Sequence, residues 1–411
     1  MNHSVVTTKL TTAVLLVLAS LASAGAAATI KTYALDYTVD FNPVRGVAEV
    51  EIAWGQRAHR VREMRFNLHP RIHNLESNAS LVVNDGYAVL TNIADGTRLT
   101  YEVEINNLRD NGEYDARMTD DWAVWRGDDL IPPARIRQLK NTESDAYLTL
   151  TGPRDWSFVA PFNEVADHRF AIENDNYSFD RPTGWMVGGN IGVRTENIRK
   201  IKVAVAGPVN QNIRRMDILA FLNWTLPAIA DVLPEMPSRL LIVSAGDGMW
   251  RGGLSAGNSL YVHADRPLIS GNGTSTLLHE LIHVTSGLDS VNGADWIIEG
   301  LAEYYSIKLL RSSGTVTRSR VRRAFADLEQ WSVDAGPLDA RHSTGATTAK
   351  AALIMRALDM EIREKTDNAH SLDDVFSTLV AAQEDVSLDR LRSAVESTMG
   401  ASSDTLTALK L

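Results

Sequence analysis

The 411-residue chain contains no cysteine. It therefore forms no disulfides, and it offers neither a thiolate metal ligand nor a cysteine for lipid attachment behind a leader. Acidic residues outnumber basic ones, 51 against 41, and the formal net charge is −10. An acidic balance argues against nucleic acid as the main partner. The length suffices for two or three domains with their own cores, and charged residues make up 22%, as in ordinary globular proteins.

Long hydrophobic runs are also missing, apart from one near the N-terminus. Lys9 precedes an apolar stretch at 13–21, and small residues follow as Ala-Ser-Ala at 22–24 or Ala-Ala-Ala at 26–28. This pattern predicts that residues 1–28 are a secretory signal peptide, too short to span a bilayer comfortably. We expect a periplasmic or secreted protein with no stable membrane span after cleavage. A retained signal anchor is the alternative.

The first half of the chain has the sequence pattern of strands. Segments such as YALDYTVDF, VAEVEIAW and RLTYEVEI alternate or cluster apolar and β-branched residues. Turn signals such as Asn84-Asp85-Gly86 separate them. Residues 29–206 are therefore predicted to form an N-terminal β-sandwich. A different hypothesis makes this half an independent module that binds carbohydrate or a partner.

The second half mixes strands and helices. We predict a helix around 215–232, strands at 238–245 and 258–264, and almost only helix from 296 onward, with a loop near 335–346. Residues 207–311 then form a mixed domain, and residues 312–411 its helical C-terminal part. The predicted fold class is α+β.

The strongest signal is the sequence His-Glu-Leu-Ile-His at 279–283. Helical residues four apart share a face, so His279 and His283 can both direct an imidazole nitrogen at one ion. Glu299 follows in the run WIIEGLAEYY as a third ligand. A catalytic zinc ion takes three protein ligands and one water, and Glu280 lies beside that water as a general base. Two imidazoles and a carboxylate suit Zn²⁺ best.

The local sequence supports two helices around this site. Thr274 or Ser275 can cap the first helix and Gly287 can end it, while Asp295 is the expected N-cap of the second. Glu303 lies one helical turn beyond Glu299. We weigh two interpretations of Glu303 equally: a surface charge, or the acceptor of a proton from a ligating histidine.

These residues resemble a known group of enzymes. HELIH with the glutamate of WIIEGLAEYY is similar to the gluzincin zinc peptidases, and the chain resembles most the bacterial glycyl-aminopeptidase-like family, whose members often add a PDZ domain. Three further segments carry the resemblance: RGGLSAGNSLYVH at 251–263, WIIEGLAEYYSIKLLRSSG at 296–314 and KAALIMRALDMEIREKTDNAHSLDDVF at 350–376. It implies a β-sandwich before a thermolysin-like catalytic domain at 207–311, and no PDZ domain is expected here.

The resemblance also implies individual roles. His279, His283 and Glu299 would bind zinc, and Glu280 would be the base. The segment Gly252, Gly253, Leu254 and Ser255 would form the substrate-binding strand, but Ser255 occupies the position at which the family has the glutamate that holds a substrate's free amine.

A second departure concerns the oxyanion. The family places an oxyanion-stabilising tyrosine where this chain has Thr348. His342 is the first substitute that we consider, against the simpler interpretation of a loop histidine, and Tyr261 is a weaker one. The loss of one such donor typically costs about 3–4 kcal/mol.

Two functions therefore remain open. The favoured one is an exported zinc metallopeptidase that hydrolyses peptides or proteins through a zinc-bound water and Glu280, either as an aminopeptidase or as an endopeptidase. The alternative is a catalytically degenerate zinc protein that binds peptides or a protein partner. The presence of Glu280 favours the enzyme, because a purely structural zinc site has no need of a base.

Overall fold

The computed structural model describes residues 30–173 and 179–409. The expected signal peptide at 1–28 lies outside these residues. The described residues form twenty-one strands and nine α-helices. The strands are β1 (Lys31–Asn42), β2 (Val47–Trp54), β3 (Val61–Asn67), β4 (Ile72–Ser77), β5 (Ser80–Asn84), β6 (Tyr87–Thr91), β7 (Arg98–Glu104), β8 (Asn107–Leu108), β9 (Tyr114–Met118), β10 (Trp122–Arg126), β11 (Ala134–Gln138), β12 (Thr142–Thr151), β13 (Ser157–Val159), β14 (Asn163–Ala166), β15 (Arg169–Ile172), β16 (Trp185–Gly189), β17 (Ile191–Ile198), β18 (Ile201–Pro208), β19 (Arg239–Ala245), β20 (Gly253–Ala256) and β21 (Ser259–His263). The helices are α1 (Gly127–Leu130), α2 (Arg215–Ala230), α3 (Thr276–Ser286), α4 (Asp295–Ser312), α5 (Arg318–Trp331), α6 (Ala346–Lys365), α7 (Leu372–Ala381), α8 (Leu388–Met399) and α9 (Asp404–Thr407).

The predicted strands of the first half are confirmed. Strand β1 shows why the pattern worked: Leu35, Tyr37 and Val39 are fully buried, and the residues between them are less buried. Successive side chains on a strand point to opposite faces, so this alternation buries one face of the sheet. The turn expected at 84–86 joins β5 to β6, with Gly86 at φ +77°.

Three sheets make up the N-terminal part of the described chain. Their strand orders are β14-β15-β12-β1-β2-β7-β4, β13-β16-β10-β9-β8 and β11-β3-β6-β5. The first sheet is antiparallel except for the parallel pair of β1 and β12. Side chains from all three sheets meet in one core, which includes Tyr33, Phe66 and Trp125. Burial of such large side chains stabilises the fold by about 1.5–3 kcal/mol each.

The boundary between the two halves differs from the prediction. The expected limit between 206 and 207 falls inside β18, which pairs with β17 on one side and with β19 on the other. Strands β17 and β18 therefore belong to the sheet β17-β18-β19-β21-β20 of the second half. The change of sheet occurs near Asn190, between β16 and β17. The prediction placed it too late because strand pairing over a long sequence separation leaves no local signal.

The helices pack on this five-stranded sheet and on each other. Helix α6 runs alongside α4 in the same direction, since Ala351 lies against Gly300 and Asp359 approaches Lys308 at 3.8 Å. A Cβ on Gly300 would come within 2.9 Å of Ala351, so glycine permits this close approach. The two helices thus form a rigid support next to Glu299.

The C-terminal helix α9 is attached through Glu361 of α6. The Glu361 carboxylate accepts hydrogen bonds from the N–H groups of Asp404 and Thr405 and from the Ser403 hydroxyl. Burial raises the pKa of this carboxyl, but these bonds and the Lys365 ammonium lower it more strongly, to about 2. The carboxylate form of Glu361 therefore contributes to the stability of the C-terminal part.

Among the residues that the structure describes, no helix is both long enough and apolar enough to cross a membrane.

Candidate metal and catalytic site

Helix α3 carries the two histidines, and its ends are fixed as the sequence predicted. The Ser275 hydroxyl caps the helix by accepting a hydrogen bond from the N–H of Leu278 at 3.3 Å. Gly287 ends it in the left-handed conformation at φ +59°. The apolar residues Leu281 and Ile282 anchor the helix in the core. His279 and His283 lie on another face, where they remain available to the site.

Helix α4 brings Glu299 back to face them. The connection between α3 and α4 is held by two backbone hydrogen bonds, from Val291 to Val386 at 3.0 Å and from Val386 to Asp289 at 2.8 Å. Trp296 and Ile297 are fully buried and fix the rotation of the helix. Asp295 is not the N-cap that we expected. It is the first residue of α4, Ala294 is the cap, and the Asp295 carboxylate accepts from the N–H of Ser343 at 2.6 Å.

The three expected ligands meet at one point. The Nε2 atoms of His279 and His283 are 3.2 Å apart, and each lies 3.3 Å from an oxygen of Glu299. Ligands at about 2.0–2.1 Å from a tetrahedral zinc ion are separated by about 3.3–3.4 Å. The three donor atoms therefore have the spacing that a zinc ion requires, and the described residues contain no other cluster of this kind.

Electrostatics also favour a cation here. Burial lowers the pKa of His279, but hydrogen bonds to Glu299 and Glu303 outweigh it and raise that pKa well above its usual value. For Glu299, burial raises the carboxyl pKa, and the hydrogen bonds from both histidines lower it to well below the usual range. Carboxylates thus surround two imidazoles in a largely buried space. A divalent cation would balance that negative charge.

Glu303 contacts a ligating histidine. Its Oε2 lies 3.0 Å from the Nδ1 of His279, on the side of the ring away from the cluster. A proton on Nδ1 that is donated to Glu303 leaves Nε2 free to bind a metal. Of the two interpretations of Glu303, this geometry supports the hydrogen-bond acceptor.

Glu280 is buried between α3 and the edge strand β20. Its Cγ lies 2.8 Å, and its Oε1 3.2 Å, from the position that a Cβ on Gly253 would occupy. Burial raises the pKa of Glu280; the two neighbouring imidazoles and the hydroxyl of Ser255 partly offset this effect. The Glu280 carboxylate therefore lies beside the two histidines and packs against Gly253, which has no side chain.

Among the described strands, β20 lies at one edge of the sheet β17-β18-β19-β21-β20. Within the part of the chain that the structure describes, β20 pairs with β21 alone, with Leu254 opposite Tyr261 and Ser255 opposite Leu260. The ring of Trp250 packs directly on Gly252, so a larger residue at 252 would collide with it. The free edge of β20 can accept an extended chain as a further strand.

The candidate oxyanion donors are less well placed. The Tyr261 hydroxyl is buried and donates to the carbonyl oxygens of Trp250 and Ala245, at 3.1 and 3.4 Å, so this candidate is wrong. His342 is exposed, and the described residues give it no hydrogen bond to the cluster. Thr348 lies in the first turn of α6, one turn before Ala351.

Sequence reasoning missed two contacts of the site. It placed Gly253 in the expected substrate strand but did not predict that Glu280 packs on it. It also did not predict the hydrogen bond from Ser343 to Asp295, one turn before Glu299, which ties the 335–345 loop to α4. Both contacts join residues far apart in sequence, so no local pattern could have indicated them.

Comparisons with known proteins agree with this architecture. No protein-family model matches the chain, and no curated protein matches it in sequence. Among solved structures, an aminopeptidase N family protein from Idiomarina loihiensis superposes with a TM-score of 0.66 at 16% identity, over 90% of this chain and 72% of that one. Legionella pneumophila aminopeptidase A, solved with aspartic acid, gives a TM-score of 0.55 at 11% identity, over 91% of this chain but about half, 48%, of its own length. At these identities the likeness concerns the fold alone, and the chain has the mixed α/β fold of these aminopeptidase structures.

Proposed function

We propose that this protein is an exported, zinc-dependent metallopeptidase. The observation that carries the proposal is the triangle of donor atoms from His279, His283 and Glu299, with edges of 3.2–3.3 Å beside the buried Glu280. A structural zinc site is closed by four protein ligands, whereas three ligands leave one position open for chemistry. The chain shares its fold with two aminopeptidase structures, which supports a peptide as the substrate.

The roles of the residues follow from this arrangement. When bound, zinc supplies a Lewis acid that polarises the scissile carbonyl and lowers the pKa of a water toward neutrality. Glu280 takes the proton of the attacking water and delivers it to the departing amine nitrogen. Glu303 holds the tautomer of His279 that presents Nε2 to the ion. Burial of Glu280 against Gly253 fixes the position of the base.

The substrate is a peptide or protein chain bound along β20. An extended peptide would pair with the free edge of this strand, next to Glu280. Ser255 is uncharged, so the strand offers no carboxylate to hold a free amino terminus there. We therefore expect endopeptidase or oligopeptidase activity at least as much as aminopeptidase activity.

A second function has two observations in its favour. Thr348 replaces the oxyanion tyrosine of the family that the chain resembles, and Tyr261 is engaged in hydrogen bonds to the backbone. A protein that binds zinc and peptides without cleaving them would tolerate both. His342 is the candidate that would restore a donor, from the loop before α6.

The domain organisation and the location belong to the same proposal. A β-sandwich would precede a thermolysin-like domain that starts near residue 191, with the helical part from 312 onward completing the catalytic region. Residues 1–28 would direct export to the periplasm or the medium.

A cleavage assay tests the proposal. The zinc-loaded protein and its Glu280→Gln variant are each incubated with a mixed peptide library, and the products are identified by mass spectrometry. We expect cuts from the wild type only, and their distance from the peptide N-terminus separates exopeptidase from endopeptidase. Equal cleavage by both proteins would refute the role of Glu280. No cleavage by a protein that binds zinc stoichiometrically would favour the binding function.

A further inference from the structure

A cavity lies at the carboxyl ends of two parallel strands, β19 and β21, of the sheet β17-β18-β19-β21-β20. Strands β18, β19 and β21 run parallel, and a cavity opens where β19 and β21 end, bordered by Ser244 and Val262. Ile218 near the start of α2 and Leu277 in the first turn of α3 form its apolar walls. The enclosed space is about 10 Å³, room for one water-sized group. Carboxyl ends of parallel strands are a common place for ligands.

A buried hydroxyl faces this cavity. Ser244 is only 1% exposed, and its Oγ has no hydrogen-bond partner among the described residues. Its strand neighbour Val262 has its side chain in the core beneath α2 and α3, and aligned residues of paired strands point to the same face. The Ser244 side chain therefore points toward the walls of the cavity. An unsatisfied buried hydroxyl is costly, so a polar occupant would stabilise it.

Two arginines stand at the rim. The Arg214 guanidinium donates to the carbonyl of Arg266 at 3.2 Å, and that of Arg266 donates to the carbonyl of Arg251 at 2.6 Å. Each guanidinium has five N–H donors, so most remain available. Within the described chain, neither arginine forms an ion pair and no acidic residue lines the cavity. Asp265, adjacent to Arg266 in sequence, approaches Arg251 instead at 3.6 Å.

We propose that this pocket binds a small oxyanion, with a carboxylate as the best fit. One oxygen of the anion enters the cavity and accepts the hydrogen bond of the Ser244 hydroxyl. The second oxygen stays at the mouth, where Arg214 and Arg266 donate to it. Two cationic donors and a buried hydroxyl, without an opposing carboxylate in the lining, form an anion site in a protein whose net charge is −10. The residues that line this cavity include none of the three candidate metal ligands, and the proposal does not depend on the proposed peptidase activity.

Ligand-detected NMR on the metal-free protein tests the proposal. Zinc is removed first because acetate and phosphate both coordinate it. Acetate is titrated at constant ionic strength and read by saturation transfer to its methyl group, and inorganic phosphate is read by its ³¹P line width. We expect saturable binding to the wild type. The Arg214→Gln/Arg266→Gln double variant should bind at least about ten-fold more weakly, and Ser244→Ala several-fold more weakly.

Arg322→Gln is the matched control, since this exposed arginine lies on α5, away from the cavity. It should bind like the wild type. Binding of either anion that depends on Arg214, Arg266 and Ser244 supports the site, and the comparison of acetate with phosphate identifies the preferred headgroup. The proposal is overturned by the absence of binding to the wild type or by equal binding to all four proteins.

Discussion

The contact between Gly253 and Glu280 allows a substitution that moves the proposed base and leaves its carboxylate in place. In Gly253→Ala, the new Cβ would lie 2.8 Å from the Cγ of Glu280 and 2.6 Å from the Cγ2 of Thr276. Ordinary van der Waals contacts of a Cβ begin at 3.4 Å. The Glu280 side chain, the strand or both must therefore shift by about half an ångström or more.

The size of the effect follows from this displacement. A misplacement of about 1 Å at a reacting group can cost about 100-fold in rate. We therefore expect kcat/KM of Gly253→Ala to fall by about 10- to 100-fold. Overpacking of this kind also costs about 1–3 kcal/mol of folding free energy. Zinc affinity should change little, because the three atoms nearest to the new Cβ belong to Thr276 and Glu280 and not to His279 or His283.

The assay measures kcat/KM on a peptide identified by the library, together with zinc stoichiometry and thermal unfolding. Gly271→Ala is the control, because a Cβ at Gly271 meets nothing within 4 Å. It should leave all three quantities unchanged. Activity of Gly253→Ala within two-fold of the wild type, with normal zinc content, would show that the base does not depend on this contact and would refute the reasoning.

Three further predictions concern the metal, the oxyanion and acid stability. Glu303→Gln should weaken zinc binding by about 10- to 100-fold in a competition with a chelator, because His279 loses its carboxylate partner. The control Glu364→Gln, at an exposed position, should leave the zinc affinity unchanged. An unchanged affinity in Glu303→Gln would contradict this role for Glu303. Thr348→Tyr should raise kcat by up to about 100-fold if an oxyanion donor is missing, and Thr348→Phe should not; equal rates in the two variants would argue against a donor at this position. The pKa of the Glu361 carboxyl is lowered from 4.5 to about 2, so its contribution to stability is complete above pH 4.5 and is lost as the pH falls toward 2. The unfolding free energy should decrease by at most about 3 kcal/mol over this range. An identical pH dependence in Glu361→Gln would contradict the assignment.

Much of the site could be predicted because its signals are local. The positions of His279 and His283 on one helical face follow from their spacing, and the cap at Ser275 and the stop at Gly287 follow from the chemistry of those residues. The strands of the first half could be predicted equally well, because the alternation of apolar and polar residues is visible without knowledge of the partner strand. Glu299 required one further assumption, that the chain turns back after Gly287.

The remaining features depend on which segments meet in space. Strands β17 and β18 have the same sequence pattern as the strands before them. Only the pairing of β18 with β19, and of β17 with β18, assigns them to the five-stranded sheet of the second half. The packing of Glu280 on Gly253 and the engagement of the Tyr261 hydroxyl by the backbone arise in the same way. The pairing of β18 with β19 moved the boundary that we expected between residues 206 and 207. The hydrogen bonds of the Tyr261 hydroxyl to the backbone removed the oxyanion role that we had considered for it.

Anomalous diffraction at the zinc edge tests the central claim, a catalytic zinc site, most directly. The crystals are grown from protein that is purified without added metal and then loaded with one equivalent of zinc. The account predicts a single strong peak within about 2.0–2.2 Å of the Nε2 atoms of His279 and His283 and of a Glu299 oxygen, with an open coordination position on the side of Glu280. A peak elsewhere, or a zinc ion closed off by a fourth protein ligand, would contradict a catalytic zinc site.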